Sequence, residues 1–188
     1  MSKFVSAGHC ITHGPNFDPG APGIDKRWEA NETVKVRNRV IQIIRSRGYN
    51  DIIQDADTES LQQYLNRAKT GGGSAVVEFH FNAGPAGATG TETLTRVVPQ
   101  KYDTEMAREF SAATSRILGI QMRGNQGVKT EADTRHKRLA LMKEAGIVNL
   151  VEICFISSPK DMAAFDAKFE PLCQAYADII IKYDKLIA

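Results

Sequence analysis

The run Val76-Val77-Glu78-Phe79-His80-Phe81-Asn82-Ala83-Gly84 constrains this chain more than any other. Period-two alternation sends Val77, Phe79 and Phe81 to one side of a strand, and Glu78, His80 and Asn82 to the other. The small residues after it mark the exit into a loop. A carboxylate, an imidazole and an amide along a buried strand are costly unless each finds a partner. A core histidine bonded to a backbone carbonyl would account for His80 by itself, so the remaining segments must decide.

Strand and helix signals alternate along the whole chain. Strands are expected at 3–8, 50–54, 76–81, 91–98 and 147–156, with a short one at 139–142. Helices are expected at 29–47, 59–69 and 102–118, and in segments between 160 and 186. The first helix carries Val36, Val40, Ile43 and Ile44 on one face and stops at Gly48, a C-cap residue. Its Arg37, Arg39, Arg45 and Arg47 are assigned to a solvated outer face. Gly71-Gly72-Gly73 lacks the Lys-Ser/Thr of a phosphate loop and reads as a turn. This order predicts an α/β fold: a single domain over 1–188, with a largely parallel twisted sheet and helices on both faces.

The 188 residues suffice for one domain with its own core. A formal charge of +2 gives no general attraction to nucleic acid, and no nucleic-acid partner is expected. No apolar run is long enough to span a bilayer, so no stable membrane association is expected. Cys10, Cys154 and Cys173 are too few and too widely spaced for a disulfide framework or a zinc ribbon. The first residues show no signal peptide.

Four polar side chains stand out against apolar surroundings. His9 lies where the first strand gives way to a turn-rich loop of about twenty residues, and loops of that length are often functional. Glu29 projects onto the apolar face of the first helix, whereas Glu32 falls to one side; a glutamate serving the helix dipole is the plainer reading of either. His80 and Glu152 sit in apolar strands. Two imidazoles and a carboxylate suit a catalytic zinc, which keeps an open position for water. A further carboxylate suits the base that takes a proton from that water. The 120–138 segment, with Arg135-His136-Lys137-Arg138, reads as a solvated surface or as a contact for an anionic polymer or substrate carboxylate.

In this order the motifs resemble the zinc-dependent N-acetylmuramoyl-L-alanine amidases of bacterial cell-wall hydrolases and phage endolysins. The resemblance is carried by Ala7-Gly8-His9, Asp18-Pro19-Gly20-Ala21, Glu29 and Arg47-Gly48-Tyr49. It continues through Glu78-Phe79-His80-Phe81-Asn82-Ala83, Gly90-Thr91-Glu92, Arg123-Gly124, Val128-Lys129 and Val151-Glu152-Ile153-Cys154-Phe155-Ile156. The chain departs from the family at Thr33, where an asparagine is frequent, and at Cys10, where a small residue is usual.

The resemblance implies His9, Glu29 and His80 as ligands of Zn2+ and Glu152 as catalytic base, with Asn82, Arg123 and Lys129 as substrate contacts. It implies peptidoglycan, stem peptide and glycan together, as substrate. The absence of a wall-binding module and of an export signal suggests a single-domain phage or prophage endolysin. Such a protein would wait in the host cytoplasm until a holin releases it to the wall. Two rivals are a thiol hydrolase using Cys10 with His13 or His80, and a non-catalytic module that binds peptidoglycan or an anionic polymer.

Overall fold

The computed structural model describes residues 2–10, 12 and 14–186; His13 lies outside them. Eleven elements follow one another as β1 (Lys3–Ala7), α1 (Glu29–Ser46), β2 (Ile52–Gln54), α2 (Leu61–Ala68), β3 (Ala75–Asn82), β4 (Glu92–Thr95), α3 (Asp103–Leu118), β5 (Val128–Thr130), β6 (Ile147–Phe155), α4 (Pro159–Ala167) and α5 (Phe169–Leu186). The strands form one sheet in the order β2-β1-β3-β6-β4-β5. Adjacent pairs are parallel except β4 against β6. The expected α/β architecture is therefore the observed one.

The two sheet faces are covered differently. One carries the main core, where α1, α3 and α5 pack over Val77, Phe79, Phe81, Val151 and Ile153. The other is covered at the amino ends of its parallel strands by Tyr64, Leu65 and Ala68 of α2 and by Leu141 and Met142. Along this second face the chemistry changes with position. Phe4 is followed by Ser6 on β1, Val76 by Glu78 and His80 on β3, and Leu150 by Glu152 on β6, while antiparallel β4 offers Leu94 and then Glu92. Apolar residues stop where the cover stops, and polar groups collect at the carboxyl ends of the parallel strands, the usual ligand edge of such sheets.

Several local expectations need correction. Residues 139–142 do not form a strand; Leu141–Lys143 is one 3-10 turn, which lays Leu141 and Met142 on the sheet. β4 ends at Thr95, short of Val97 and Val98. Buried Arg96 pairs there with Asp103 and donates to the Met142 and Gly146 carbonyls, drawing the chain off the sheet. The polar 120–138 segment contains the unpredicted strand β5, too short and too hydrophilic to show a period.

Of the arginines assigned to the outer face of α1, Arg45 is exposed as expected, but Arg37 is not. Arg37 is only 2 % exposed. Its guanidinium donates to Asp55 at 2.8 Å and to Asp57 at 2.7 Å, while Arg39 pairs with Glu170 and Arg47 with Asp178. Asp55 also accepts from the Ala7 amide at 3.1 Å, so this buried pair fixes the end of β1 one residue before Gly8. Arg37→Met leaves the Asp55 carboxylate buried without a cation. It is expected to cost about 3–5 kcal/mol, read by urea denaturation at pH 7, with Arg37→Met/Asp55→Asn recovering most of the loss.

Candidate active site

The site is built where β1, β3 and β6 end. His9 follows β1 with φ +71°, in the left-handed region, which turns its ring back over the strand ends. Gly8 is obligatory before it, because a Cβ there would lie 2.3 Å from Cε1 of His80. The 18–21 loop then wraps the start of α1. The Glu29 and Ala30 amides, which a helix leaves unpaired, donate to the Ala21 and Pro19 carbonyls at 3.0 and 3.1 Å. Gly20 has φ +69°, and a Cβ there would lie 2.6 Å from the His9 ring and 2.8 Å from Glu29 Oε2. Thr33, in the place of the usual asparagine, donates to the Gly8 carbonyl at 2.8 Å and ties α1 to the end of β1.

Glu29 is 4 % exposed, and its carboxylate spans the two imidazoles. Oε2 lies 3.1 Å from His9 Nε2 and accepts from the Ala21 amide at 2.9 Å. Oε1 lies 3.0 Å from His80 Nδ1 and accepts from the Phe81 amide at 3.0 Å. One donor atom from each of His9, Glu29 and His80 falls within 4.8 Å of the others. Glu32 is buried as well, contrary to expectation, but it points elsewhere, to Lys35 at 2.9 Å and Arg27 at 3.7 Å.

Each imidazole has a carboxylate behind it. Nδ1 of His9 faces Asp18 Oδ2 at 2.9 Å, and Nε2 of His80 faces Glu78 Oε1 at 3.0 Å. Burial opposes charge on Glu29, but the hydrogen bonds from His80 and His9 hold its carboxyl far below the usual range. Burial likewise opposes the imidazolium of His80, and the bonds to Glu29 and Glu78 raise its pKa well above the ordinary value. Glu29 and Glu78 are buried with no lysine or arginine against them among the described residues. Two imidazole nitrogens plus a carboxylate oxygen, in a field of three carboxylates, match the donor set of a divalent cation. The residues present therefore fit a metal.

Glu152 is the register partner of His80 across β3 and β6. Its Oε2 is inaccessible and has no hydrogen-bond partner among the described residues. Burial pushes its carboxyl up to about 7. Glu78, the other carboxylate beside His80, has both oxygens engaged, one by His80 and one by the Ser6 hydroxyl at 3.1 Å. Of the two, Glu152 is the one free to exchange a proton.

Beyond Glu152 opens a cleft of about 510 Å³, lined by Asn82, Phe155, Arg123, Lys129 and Arg135. Glu92, at the start of β4 and not among the expected site residues, organises this wall. Its Oε2 holds Arg123 Nε at 2.7 Å and Lys129 Nζ at 2.8 Å, and its Oε1 accepts from Asn82 at 3.2 Å. Asp18 and Glu78 were equally absent from the expected site. The legible signal for Glu78 was its position two residues before His80, on the same side of the strand. His136 is exposed, as expected. Cys10 donates its thiol to the Asp57 carbonyl at 2.8 Å and to no histidine among the described residues.

The sequence matches the N-acetylmuramoyl-L-alanine amidase family (Amidase_3) over residues 4–182. No curated protein sequence matches it. A protein of Neisseria meningitidis assigned as an N-acetylmuramoyl-L-alanine amidase superposes with TM-score 0.75 at 27% identity, covering 96% of this chain and 94% of its own. Two others share the fold. The catalytic domain of CwlV, an N-acetylmuramoyl-L-alanine amidase from Bacillus (Paenibacillus) polymyxa var. colistinus, superposes at 21% identity with TM-score 0.75, covering 100% of both chains. The catalytic domain of the CD27L endolysin targeting Clostridia difficile does so at 17% identity with TM-score 0.74, covering 97% of each. A match over nearly the whole length, on a fold whose strand ends gather two imidazoles and a carboxylate, makes the chain a member of the N-acetylmuramoyl-L-alanine amidase family, the enzymes that hydrolyse this amide in peptidoglycan.

Proposed function

We propose that the chain is a zinc amidase in which His9, Glu29 and His80 hold the metal and Glu152 is the general base. It cuts the amide between the lactoyl group of N-acetylmuramic acid and L-alanine. The observation that carries this is the unpartnered Glu152 carboxylate standing beside the His9–Glu29–His80 triangle. When bound, zinc polarises the lactoyl carbonyl and lowers the pKa of the attacking water. Glu152 receives the water's proton and delivers it to the alanine nitrogen as the C–N bond breaks. The hydroxyl stays on the lactoyl carbon, so the glycan keeps a carboxylate and the peptide gains a free amine.

Arg123 and Lys129 set positive charge along the cleft, suited to the carboxylates of a stem peptide, and Asn82 offers an amide at its mouth. Glu92 keeps the two cations at fixed positions and reduces the cost of holding them before substrate arrives. We extend the proposal to an endolysin role, the role that the name of the CD27L neighbour carries. Lysis of a bacterial host on induction together with a pore former, and not on induction alone, is the outcome that supports it.

Digestion of purified peptidoglycan is expected to release new amino groups on alanine with no rise in reducing ends. A rise in reducing ends means a glycosidase, and no product at all means a binding module.

Glu152→Gln is expected to retain zinc and the fold and to lose about 10²–10⁴-fold in turnover. The same variant carries a stability signature after the metal is stripped. The folded carboxyl titrates near 7 and the unfolded one near 4.5, so between these values the folded chain keeps a proton that the unfolded chain has released. Stability therefore falls as pH rises through that window. Glu152→Gln is expected to be more stable than the wild type above pH 7, by up to about 3 kcal/mol, and to match it below pH 4.5.

Glu29→Ala is expected to lose zinc, because two histidines alone make a poor site. Glu32→Ala is expected to retain it. Metal content of the two purified proteins decides the assignment, and zinc kept by the Glu29 variant but lost by the Glu32 variant reverses it.

A further inference from the structure

Glu78 is a buried carboxylate whose position no simple packing argument explains. It is 4 % exposed, on the central strand β3, two residues before His80 on the same side. Burying a carboxylate costs several kcal/mol unless a cation and hydrogen bonds compensate it. For several other buried carboxylates of this fold the compensation comes from arginine or lysine: Arg37 for Asp55, Arg96 for Asp103, Arg123 and Lys129 for Glu92. Glu78 has none of these. Its partners are Nε2 of His80 at 3.0 Å and the Ser6 hydroxyl at 3.1 Å.

The geometry around His80 is ordered. Nδ1 faces Glu29 and the triangle of donor atoms, and Nε2 faces away, into Glu78. Resting on the reading of that triangle as the metal site, we propose that Glu78 is a positioning residue for it. It accepts the Nε2 proton of His80 and so leaves the Nδ1 lone pair for the cation. It also locks the ring plane and makes the imidazole a stronger donor. Ser6 pins the far oxygen of Glu78, so the chain of contacts runs from β1 through β3 to the metal edge. Asp18 stands in the same relation to His9, with Nδ1 and Nε2 exchanged. The two differ in rigidity, because Glu78 is buried on a central strand whereas Asp18 lies on an exposed loop. The stiffer support thus belongs to His80, whose neighbour across the sheet is Glu152. Carboxylates placed behind ligand histidines in this way are typically worth 10–100-fold in metal affinity.

The test is a zinc titration against a competing chelator on the full chain, for the wild type and the Glu78→Gln, Ser6→Ala and His80→Ala variants. Glu78→Gln preserves shape and is expected to weaken zinc binding about 10–100-fold. Ser6→Ala, which leaves every charge in place, is expected to weaken it less, and it carries the test should Glu78→Gln not fold. A readout that packing alone would not move is the ¹⁵N–¹H spectrum of the imidazoles in the zinc-loaded protein. The wild type should show a slowly exchanging Nε2 proton on His80, and Glu78→Gln should lose that protection. Wild-type zinc affinity and an unchanged His80 signal in Glu78→Gln, with zinc lost from His80→Ala, overturn the proposal while leaving the metal site intact. Undiminished zinc binding by His80→Ala overturns the site reading itself.

Discussion

The Glu29 carboxylate, buried between two imidazoles, is the contact on which the active edge depends. It is costly to desolvate and is held by four groups from three places: the ring nitrogens of His9 and His80, the Ala21 amide and the Phe81 amide. Each comes from a segment that is itself constrained. Gly8 lets the His80 ring pass under the end of β1, the left-handed turn at His9 swings its side chain inward, and the 18–21 loop pairs the first amides of α1. The loop therefore supplies what a side-chain cap supplies in other helices, and in doing so it fixes where the glutamate points. Arg37 and Asp55 act on the triangle through the Ala7 amide.

Charge organisation follows from the same burial. Asp18, Glu29 and Glu78 surround two imidazoles, an excess of negative charge that a divalent cation would balance. Glu152 sits outside that hydrogen-bonded set. Its pKa is raised chiefly because burial offers it no donor, the environment in which a carboxylate becomes an effective base near neutral pH. Glu92, one strand further on, has the opposite surroundings, with two cations and an amide on its oxygens. Three carboxylates on neighbouring strands thus differ through their partners: Glu78 is engaged by His80 and Ser6, Glu152 Oε2 has no hydrogen-bond partner among the described residues, and Glu92 holds two cations in place.

Much of the fold was legible because it rests on local patterns. The alternation of β3 and β6, the apolar stripe of α1 and the glycine after it all appear where periodicity placed them. The failures were at segments decided by distant contacts. Leu141 and Met142 read as strand residues, yet they serve as a lid on a sheet face that is visible only once β4 and β6 are paired. β5 carries no period of its own and exists because β4 offers it an edge. Arg37 looked solvated because its acidic partners, Asp55 and Asp57, are distant in sequence and meet it only through the β1–β2 pairing.

The same division runs through the site. His9, Glu29, His80 and Glu152 were visible in the sequence as polar residues in apolar company, because the cost of burying such groups is a property of the residue and its neighbours in the chain. What each polar group does was not visible. Whether a glutamate lends its charge to a histidine, to an arginine or to no partner depends on which side chains lie within about 3 Å of it, the reach of a hydrogen bond. That is set by strand order, register and the left-handed turn at His9. The sequence by itself determined most of the elements, their apolar faces and the short list of costly residues. Only the tertiary structure decided that Glu78 is engaged while Glu152 Oε2 has no hydrogen-bond partner among the described residues, and that Glu92 gathers Arg123 and Lys129. Those outcomes depend on contacts between residues far apart in the chain, which only the packed sheet brings together.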